Sequence, residues 1–283
     1  MKRILVTGGS GFIGSNLVRY LIQKGAEVNI VDNLITGRKE NTDELRGKLF
    51  VQDVCKQLEF PAEIEKSDAV VHLAALTSVI DSNLSPSKTW HNNVESTFNM
   101  LEFCRENGIK RFVFASSSAV EGDSIYGATK ITGEALCNSY RNFGIQTVCL
   151  RFSNVYGKFS SDEGVIPKFI DRLKNNQPIV VYGDGNQTRD FVNAKDICQA
   201  IWLALESKSG VFEVGTGIET SIKQLIELLD KVSGKSAVVN YHPIRSAEIL
   251  NSVADISKSQ KELGYNPEVS LEQGIREIWQ ERI

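Results

Sequence analysis

Tyr126 and Lys130 stand four residues apart in Tyr126-Gly127-Ala128-Thr129-Lys130, a spacing that puts both side chains on one face of a helix. Three hydroxyls, Ser116-Ser117-Ser118, lie a short way upstream, at the end of an apolar run of strand length. A phenol titrating near about 10 is a poor base at neutral pH. A neighbouring ammonium favours the phenolate, and a second cation brought by a ligand would add to it. A tenfold gain in acidity corresponds to about 1.4 kcal/mol, so two nearby cations are enough to lower the pKa by roughly two or three. A tyrosine tuned in this way exchanges a proton with a substrate hydroxyl, and one of the serines can hold the same oxygen. On its own Y-x-x-x-K recurs by chance, so the chemistry depends on what else the chain can bind.

The N-terminal stretch answers that. Ile4-Leu5-Val6 is a strand-length apolar run, Thr7-Gly8-Gly9-Ser10-Gly11 a glycine-crowded turn, and Phe12 to Lys24 has apolar residues at helical spacing (Phe12, Ile13, Leu17, Leu21, Ile22). Strand, turn and helix give the match to G-x-G-x-x-G (Gly9, Gly11, Gly14) its meaning. Glycines let the backbone approach a pyrophosphate and let helix and strand pack closely, while the helix N-terminus offers N–H groups to the anion. A second strand, Val28 to Val31, ends in Asp32, 18 residues after Gly14. A carboxylate there accepts hydrogen bonds from ribose hydroxyls and repels a 2′-phosphate, which favours NAD over NADP. Arg38 lies past the strand end, too late to reverse that preference.

The elements that position these groups alternate regularly. Leu49-Phe50-Val51 is a strand followed by Asp53, placed either for an adenine contact or for a helix cap. Ala69 to Ala75 reads as a buried strand whose alanines leave room for a flat cofactor or serve plain packing. Asn93 to Glu106 reads as a helix, and Arg111 to Ala115 and Ile145 to Leu150 as strands. Six strands with intervening helices imply an α/β protein with a doubly wound parallel (Rossmann) sheet and ligands at the strands' carboxyl ends. After Arg151 glycine, asparagine and aromatic residues become frequent, and the strand–helix rhythm returns only in Phe191 to Glu206 and Val211 to Val214. The expected division is a Rossmann domain of residues 1–153 plus 188–214, and a smaller interleaved α/β lobe of 154–187 plus 215–283 that holds substrate.

Bulk properties exclude several classes. A chain of 283 residues with 41% hydrophobic and 24% charged residues has the make-up of a globular protein with a sizeable core. A net charge of −3 provides no basic footprint for nucleic acid. No long apolar run suits a membrane span, and Met1-Lys2-Arg3 leads directly into a strand. The five cysteines are odd in number and widely spaced, as expected of reduced thiols in the cytoplasm. Three scattered histidines, His72, His91 and His242, make no metal set.

Taken together, the motifs resemble the extended short-chain dehydrogenase/reductase family, in its nucleotide-sugar epimerase/dehydratase branch. The resemblance spans the chain and rests on Thr7 to Gly14, Asp32-Asn33-Leu34, His72 to Ala75, Phe114 to Val120, Tyr126 to Lys130, Arg151 to Gly157 and Thr188-Arg189-Asp190-Phe191. It implies Ser117, Tyr126 and Lys130 as the catalytic set. It implies an NAD site formed by Gly8, Gly11, Phe12, Ile13, Gly14, Asp32, Asn33, Asp53, Val54, Leu73, Ala74, Ala75 and Asn93, with Tyr126 and Lys130. Asn154, Arg189 and Arg245 match positions that hold a diphosphate, and Glu248 a carboxylate that holds a ribose; Thr77, Val165, Tyr182 and Ser252 complete the implied substrate site. It also implies a homodimer built on the helices around 93–106 and 126–141.

Two departures stand out. Glu121 replaces the family's usual tyrosine, and only eight residues separate Ser117 from Tyr126 where the family has a much longer loop. The shortness has two readings, a more open sugar pocket or a loop missing from the chain. Within the family, dehydratases and decarboxylating relatives place an acid just after the catalytic hydroxyl, whereas here the positions are Ser118 and Ala119. The resemblance therefore implies hydride chemistry alone: 4-epimerisation of a UDP-hexose through a 4-keto sugar. Ser252, in place of a bulky tyrosine, leaves space for an N-acetyl group at C2. Another enzyme of the branch (4-reductase, decarboxylase or dehydratase) is the alternative. A non-catalytic NAD-binding protein would need the glycine turn and Asp32 but not Ser117, Tyr126 and Lys130 together.

Overall fold

A computed structural model describes residues 1–281 except 44, 46, 57–59, 161–163 and 245–248. Seven parallel strands form its central sheet. Six are β1 (Arg3–Thr7), β2 (Glu27–Asp32), β3 (Lys48–Val51), β4 (Ala69–His72), β5 (Arg111–Ser117) and β6 (Gln146–Phe152). The seventh, Gly210–Val214, extends the sheet beyond β6, so the spatial order runs from it through β6, β5, β4, β1 and β2 to β3. The order reverses direction between β1 and β4, which makes the carboxyl ends of those strands the crevice where an α/β sheet takes a ligand.

Helices cover both faces, as a parallel sheet of Val, Ile, Leu and Phe requires. On one face α1 (Phe12–Gln23) and the helix Ala194–Ala204 bury Leu17, Val18, Leu21, Ile197 and Ile201 against β1, β2 and β6. On the other, the helices Ser96–Glu106 and Ile125–Tyr140 bury Met100, Leu101, Cys104 and Cys137 against Phe112 and Phe114. A third core belongs to the smaller lobe, where Val165–Lys174, Ile222–Ser233 and Leu271–Glu281 pack Phe169, Ile170, Leu225, Leu229 and Ile275 together. Leu263 and Tyr265 instead join the core of the large sheet, so the C-terminal stretch is shared between the two bodies.

Three elements differ from the sequence expectation. β4 stops at His72 rather than Ala75 because the chain there turns in to meet the glycine loop: Leu73 N–H donates to Thr7 O at 3.1 Å. The helix read over 93–106 has a π-turn at His91–Glu95 before its regular part, Ser96–Glu106, which aims Asn93 back at the β4 loop. The connection from Ser117 to Tyr126 closes economically. A 3₁₀ turn, Ser118–Glu121, is followed by Ser124, whose hydroxyl caps the next helix by accepting from Gly127 N–H at 3.0 Å.

His72 is the buried polar joint of the sheet's centre. Its Nδ1 lies 2.7 Å from Thr7 Oγ1, its Nε2 3.5 Å from Ser96 Oγ, and Phe112 and Phe114 flank the ring. Burial, helped by the Lys130 charge, pushes its pKa down to about 3. Both folded and unfolded chains hold it neutral above about 6.5. As pH falls from there toward 3, only the unfolded chain takes up the proton, and stability is lost by about 1.4 kcal/mol per pH unit. Urea unfolding at pH 7 and pH 5 should therefore show the wild type losing about 2 kcal/mol more than His72→Gln; equal losses would mean the ring is not held neutral. The α1 junction offers a second test. A methyl on Gly14 would sit 2.1 Å from Gly8 O and 2.6 Å from Gly9 Cα, backbone atoms with no room to move. Gly14→Ala should destabilise the fold by about 1–3 kcal/mol, read as a lower urea midpoint.

Candidate active site

The glycine turn follows from β1. Gly8 takes φ +70°, a left-handed conformation, and its Cα lies so near the β4 loop that a side chain would meet Ala74 N at 2.8 Å. Gly11 caps α1 without a side-chain capping bond, and the first turn holds no acid. The N–H groups of Phe12, Ile13 and Gly14 thus face the crevice as an uncompensated dipole end, which suits a pyrophosphate. Asp32, 6% exposed, accepts from Ser10 N–H at 2.9 Å and Leu34 N–H at 2.8 Å. Two donors leave carboxylate lone pairs for ribose hydroxyls.

Next to it, partial burial opposes ionisation of Asp53, but hydrogen bonds from Cys55 and Asn33 outweigh it and hold the carboxyl below the usual range. Asp53 closes a turn onto Cys55 N–H at 3.0 Å and leaves an oxygen toward Asn33. Val54 is buried, and Leu73, Ala74 and Ala75 are half-buried on the β4 loop. Asn93 behaves differently from its neighbours: its oxygen accepts from Leu76 N–H at 2.8 Å, and its amide donates to Leu76 O at 3.0 Å and Thr129 Oγ1 at 3.1 Å. Both donors are used, so Asn93 braces the loop that flanks the crevice. The cradle fits a dinucleotide: Gly8, Gly11 and the α1 N-terminus for its diphosphate, Asp32 for its adenosine ribose.

Ser117, Tyr126 and Lys130 come together at the carboxyl end of β5. The Ser117 hydroxyl bonds the Tyr126 phenol while also accepting from Ala119 N–H at 3.1 Å. Lys130 is buried, donates to Ala115 O at 2.8 Å and lies over the rings of Phe114 and Tyr126, 5.0 and 5.6 Å from their centroids. Of the two cations expected beside the phenol, the protein alone supplies only Lys130, and burial outweighs it. Burial pushes Tyr126 up to about 12, and only the Ser117 hydrogen bond opposes it. The physical reason is the burial of the phenol, which outweighs a Lys130 ammonium lying 5.6 Å from the ring centroid. Burial brings Lys130 itself down to about 8, so near neutral pH it remains charged.

The residues proposed for substrate are spread over several elements. Thr77 is exposed on the β4 loop, Asn154 begins a short strand (Asn154–Tyr156), Val165 opens its helix, and Tyr182 ends the strand Ile179–Tyr182. Arg189 Nη1 donates to Thr188 O and Ile249 O, both at 2.7 Å. Ser252 lines a small cavity with Ser118, Glu121, Arg151, Ser153 and Glu213. Arg245 and Glu248 lie outside the described residues.

Several contributors were not foreseen. Ser82 Oγ accepts from Tyr126 N–H and Asn83 Oδ1 from Ile125 N–H, both at 3.1 Å, so a separate helix anchors the start of the Tyr126 helix. No local spacing signals that contact. Asp190, fully buried, gathers Thr216 N–H and Oγ1, Gly217 N–H and Ala254 N–H on its carboxylate. It thereby fixes the segments carrying Arg189 and Ser252, and its place in Thr188-Arg189-Asp190-Phe191 was the available signal. Among the described residues, no three His, Cys, Asp or Glu side chains come together as a metal set, and no helix is long and apolar enough to cross a membrane.

Comparison with known proteins agrees with this geometry. The model of the NAD dependent epimerase/dehydratase family matches residues 4–215. A putative UDP-glucose 4-epimerase of Methanocaldococcus jannaschii is 37% identical, over 97% of this chain and 96% of its own. UDP-glucuronic acid decarboxylase 1 of Arabidopsis thaliana is 33% identical, over 96% and 68%. The solved structure of UDP-glucose 4-epimerase from Thermotoga maritima, with UDP-glucose, superposes with a TM-score of 0.92 at 31% identity, covering 98% of this chain and 97% of that one. A cradle for a dinucleotide, a serine–tyrosine–lysine set at the end of β5 and these likenesses lead to one conclusion: the chain belongs to the NAD-dependent epimerase/dehydratase family of nucleotide-sugar-modifying enzymes, with NAD as its cofactor.

Proposed function

We propose that the chain interconverts C4 epimers of a UDP-hexose, UDP-glucose with UDP-galactose and, given Ser252, their 2-N-acetylated counterparts. The observation that carries this is the make-up of the assembled site: Ser117, Tyr126 and Lys130 with Ser118 and Ala119 next in line, and no acid at those two positions to serve an elimination. When bound, NAD supplies a hydride acceptor that also returns the hydride. The protein's part is proton transfer and orientation. Tyr126 Oη takes the proton of the C4 hydroxyl and later gives it back, and the Ser117 hydroxyl holds the same oxygen. A cationic group close to the phenol offsets the burial that otherwise keeps it protonated. Asn154, Arg189, Arg245 and Glu248 hold the nucleoside diphosphate as a tether, leaving the 4-keto sugar free to present either face.

A decarboxylase reading draws support from the 33%-identical decarboxylase relative, and a 4-reductase stays the other alternative. The one releases carbon dioxide from a UDP-uronate and the other consumes NADH.

Proton NMR of UDP-glucose, UDP-galactose and their N-acetyl forms, each incubated with the protein, tests the reading. The expected result is conversion to the C4 epimer without accumulated NADH, reduced about 10²–10⁴-fold in Tyr126→Phe. Inert UDP-hexoses, or full turnover by Tyr126→Phe, would sink it; carbon dioxide from UDP-glucuronate would favour the second reading.

The same proposal includes a homodimer and a reducing, cytoplasmic setting for the five free thiols. Trp90, Phe98, Ile131 and Phe143 are about half exposed on neighbouring helices, with Tyr140 between the rings of Phe98 and Phe143. A second copy covering this face would remove them from water. Light scattering should then give a dimer mass for the wild type and a monomer mass for Phe98→Glu; a monomeric wild type would contradict the dimer.

A further inference from the structure

Glu134 lies eight residues beyond Tyr126 and four beyond Lys130 on the same helix, so the three side chains form one stripe. Its side chain is only 11% exposed. Glu134 Oε1 accepts from Ser116 Oγ at 2.6 Å and from Arg151 Nε at 2.8 Å, while Oε2 accepts from Arg151 Nη2 at 2.8 Å. Ser116 and Arg151 are register partners on β5 and β6, so one carboxylate bridges a cross-strand pair. Lys130 pins the preceding residue by donating to Ala115 O. The helix is thus tied to β5 at two consecutive residues, immediately before Ser117. Gly133 permits the close approach, since a methyl there would lie 2.3 Å from Phe114 Cζ.

We propose that Glu134 is a positioning residue: by clamping Ser116 and Arg151 to the Tyr126 helix, it sets the separation between the Ser117 hydroxyl and the Tyr126 phenol. A bidentate Arg–carboxylate pair has fixed geometry and, with the Ser116 hydroxyl as a third donor, holds helix and both strands in one arrangement. Such a clamp matters where a 1 Å misplacement costs on the order of 10²-fold in rate. Glu121 and Glu213 also lie toward Arg151, but neither bonds its guanidinium, and the short links all go to Glu134. The kinetic consequence rests on the epimerase reading, whereas the geometric one does not.

The test therefore uses a direct reporter of the phenol. Protein labelled with ¹³Cζ-tyrosine is compared as wild type, Ser117→Ala, Ser116→Ala and Glu134→Ala, with the Tyr126 signal assigned from Tyr126→Phe. Ser117→Ala marks the displacement of that signal on loss of the hydroxyl contact. Glu134→Ala should move the Tyr126 signal in the same direction, and Ser116→Ala should do so by a smaller amount. In UDP-glucose turnover, Glu134→Ala should lower kcat about 10–100-fold with KM within about threefold. Glu134→Gln, which keeps an acceptor for Ser116, should recover part of the loss. A clamp that merely stabilises the fold would lower the unfolding temperature and leave the Tyr126 signal where it is, and that result overturns the inference. So does a Tyr126 signal indifferent to Ser117→Ala. Should Glu134→Ala not fold, Ser116→Ala decides. A wild type inert toward UDP-glucose counts against the epimerase reading alone, because the NMR comparison still decides the positioning role.

Discussion

Two helices lie closer to the central sheet than a methyl group would allow, and the rest of the site depends on that closeness. At α1 the contact is between Gly14 and the carbonyl of Gly8; at the Tyr126 helix it is between Gly133 and the Phe114 ring, with Gly127 over the carbonyl of Ala119. Glycine in a helix interior ordinarily weakens the helix. Here it lets one helix aim its N-terminus into the crevice and lets the other press a tyrosine and a lysine against the end of β5. The glycine cradle and the buried tyrosine–lysine pair both rest on this close packing.

That closeness has an electrostatic cost. Burial disfavours charge on both partners, raising the phenol of Tyr126 to about 12 and lowering the ammonium of Lys130 to about 8. The protein opposes this with local dipoles and hydroxyls, the Ala115 carbonyl for the lysine and Ser117 for the tyrosine.

Two bodies of structure have separate cores. The large sheet presents Gly8 to Gly14, Asp32, the β4 loop and Ser117 from successive strand ends, all at one edge because every strand is parallel. The smaller lobe has its own core, and Asp190 ties the segments carrying Arg189 and Ser252 by four donors from 216, 217 and 254.

Much of this was legible in the chain because it is local. Strand, glycine turn and helix within residues 3–23 specify a conformation through φ and close packing of near neighbours. Asp32 at a strand end and Tyr126 with Lys130 one helical turn apart follow from the same short-range geometry. The sheet's parallel order follows from alternation, although the seventh strand, Gly210–Val214, became part of it only by pairing with β6. What the sequence could not decide were the interactions between groups far apart along it. Lys130 does lie over the Tyr126 ring as the spacing implies, but how far burial raises the phenol depends on packing from distant segments. Asn93, expected at the cofactor, also braces the β4 loop through Leu76 and Thr129, a role that its place in the sequence does not signal. Ser116, Glu134 and Arg151 carry no common motif, yet they meet because strand register sets two of them side by side and a helix lays the third across. Residue type and spacing determined which chemistry was available; burial and long-range hydrogen bonds, which exist only once the chain has folded, decided which polar groups were left to perform it.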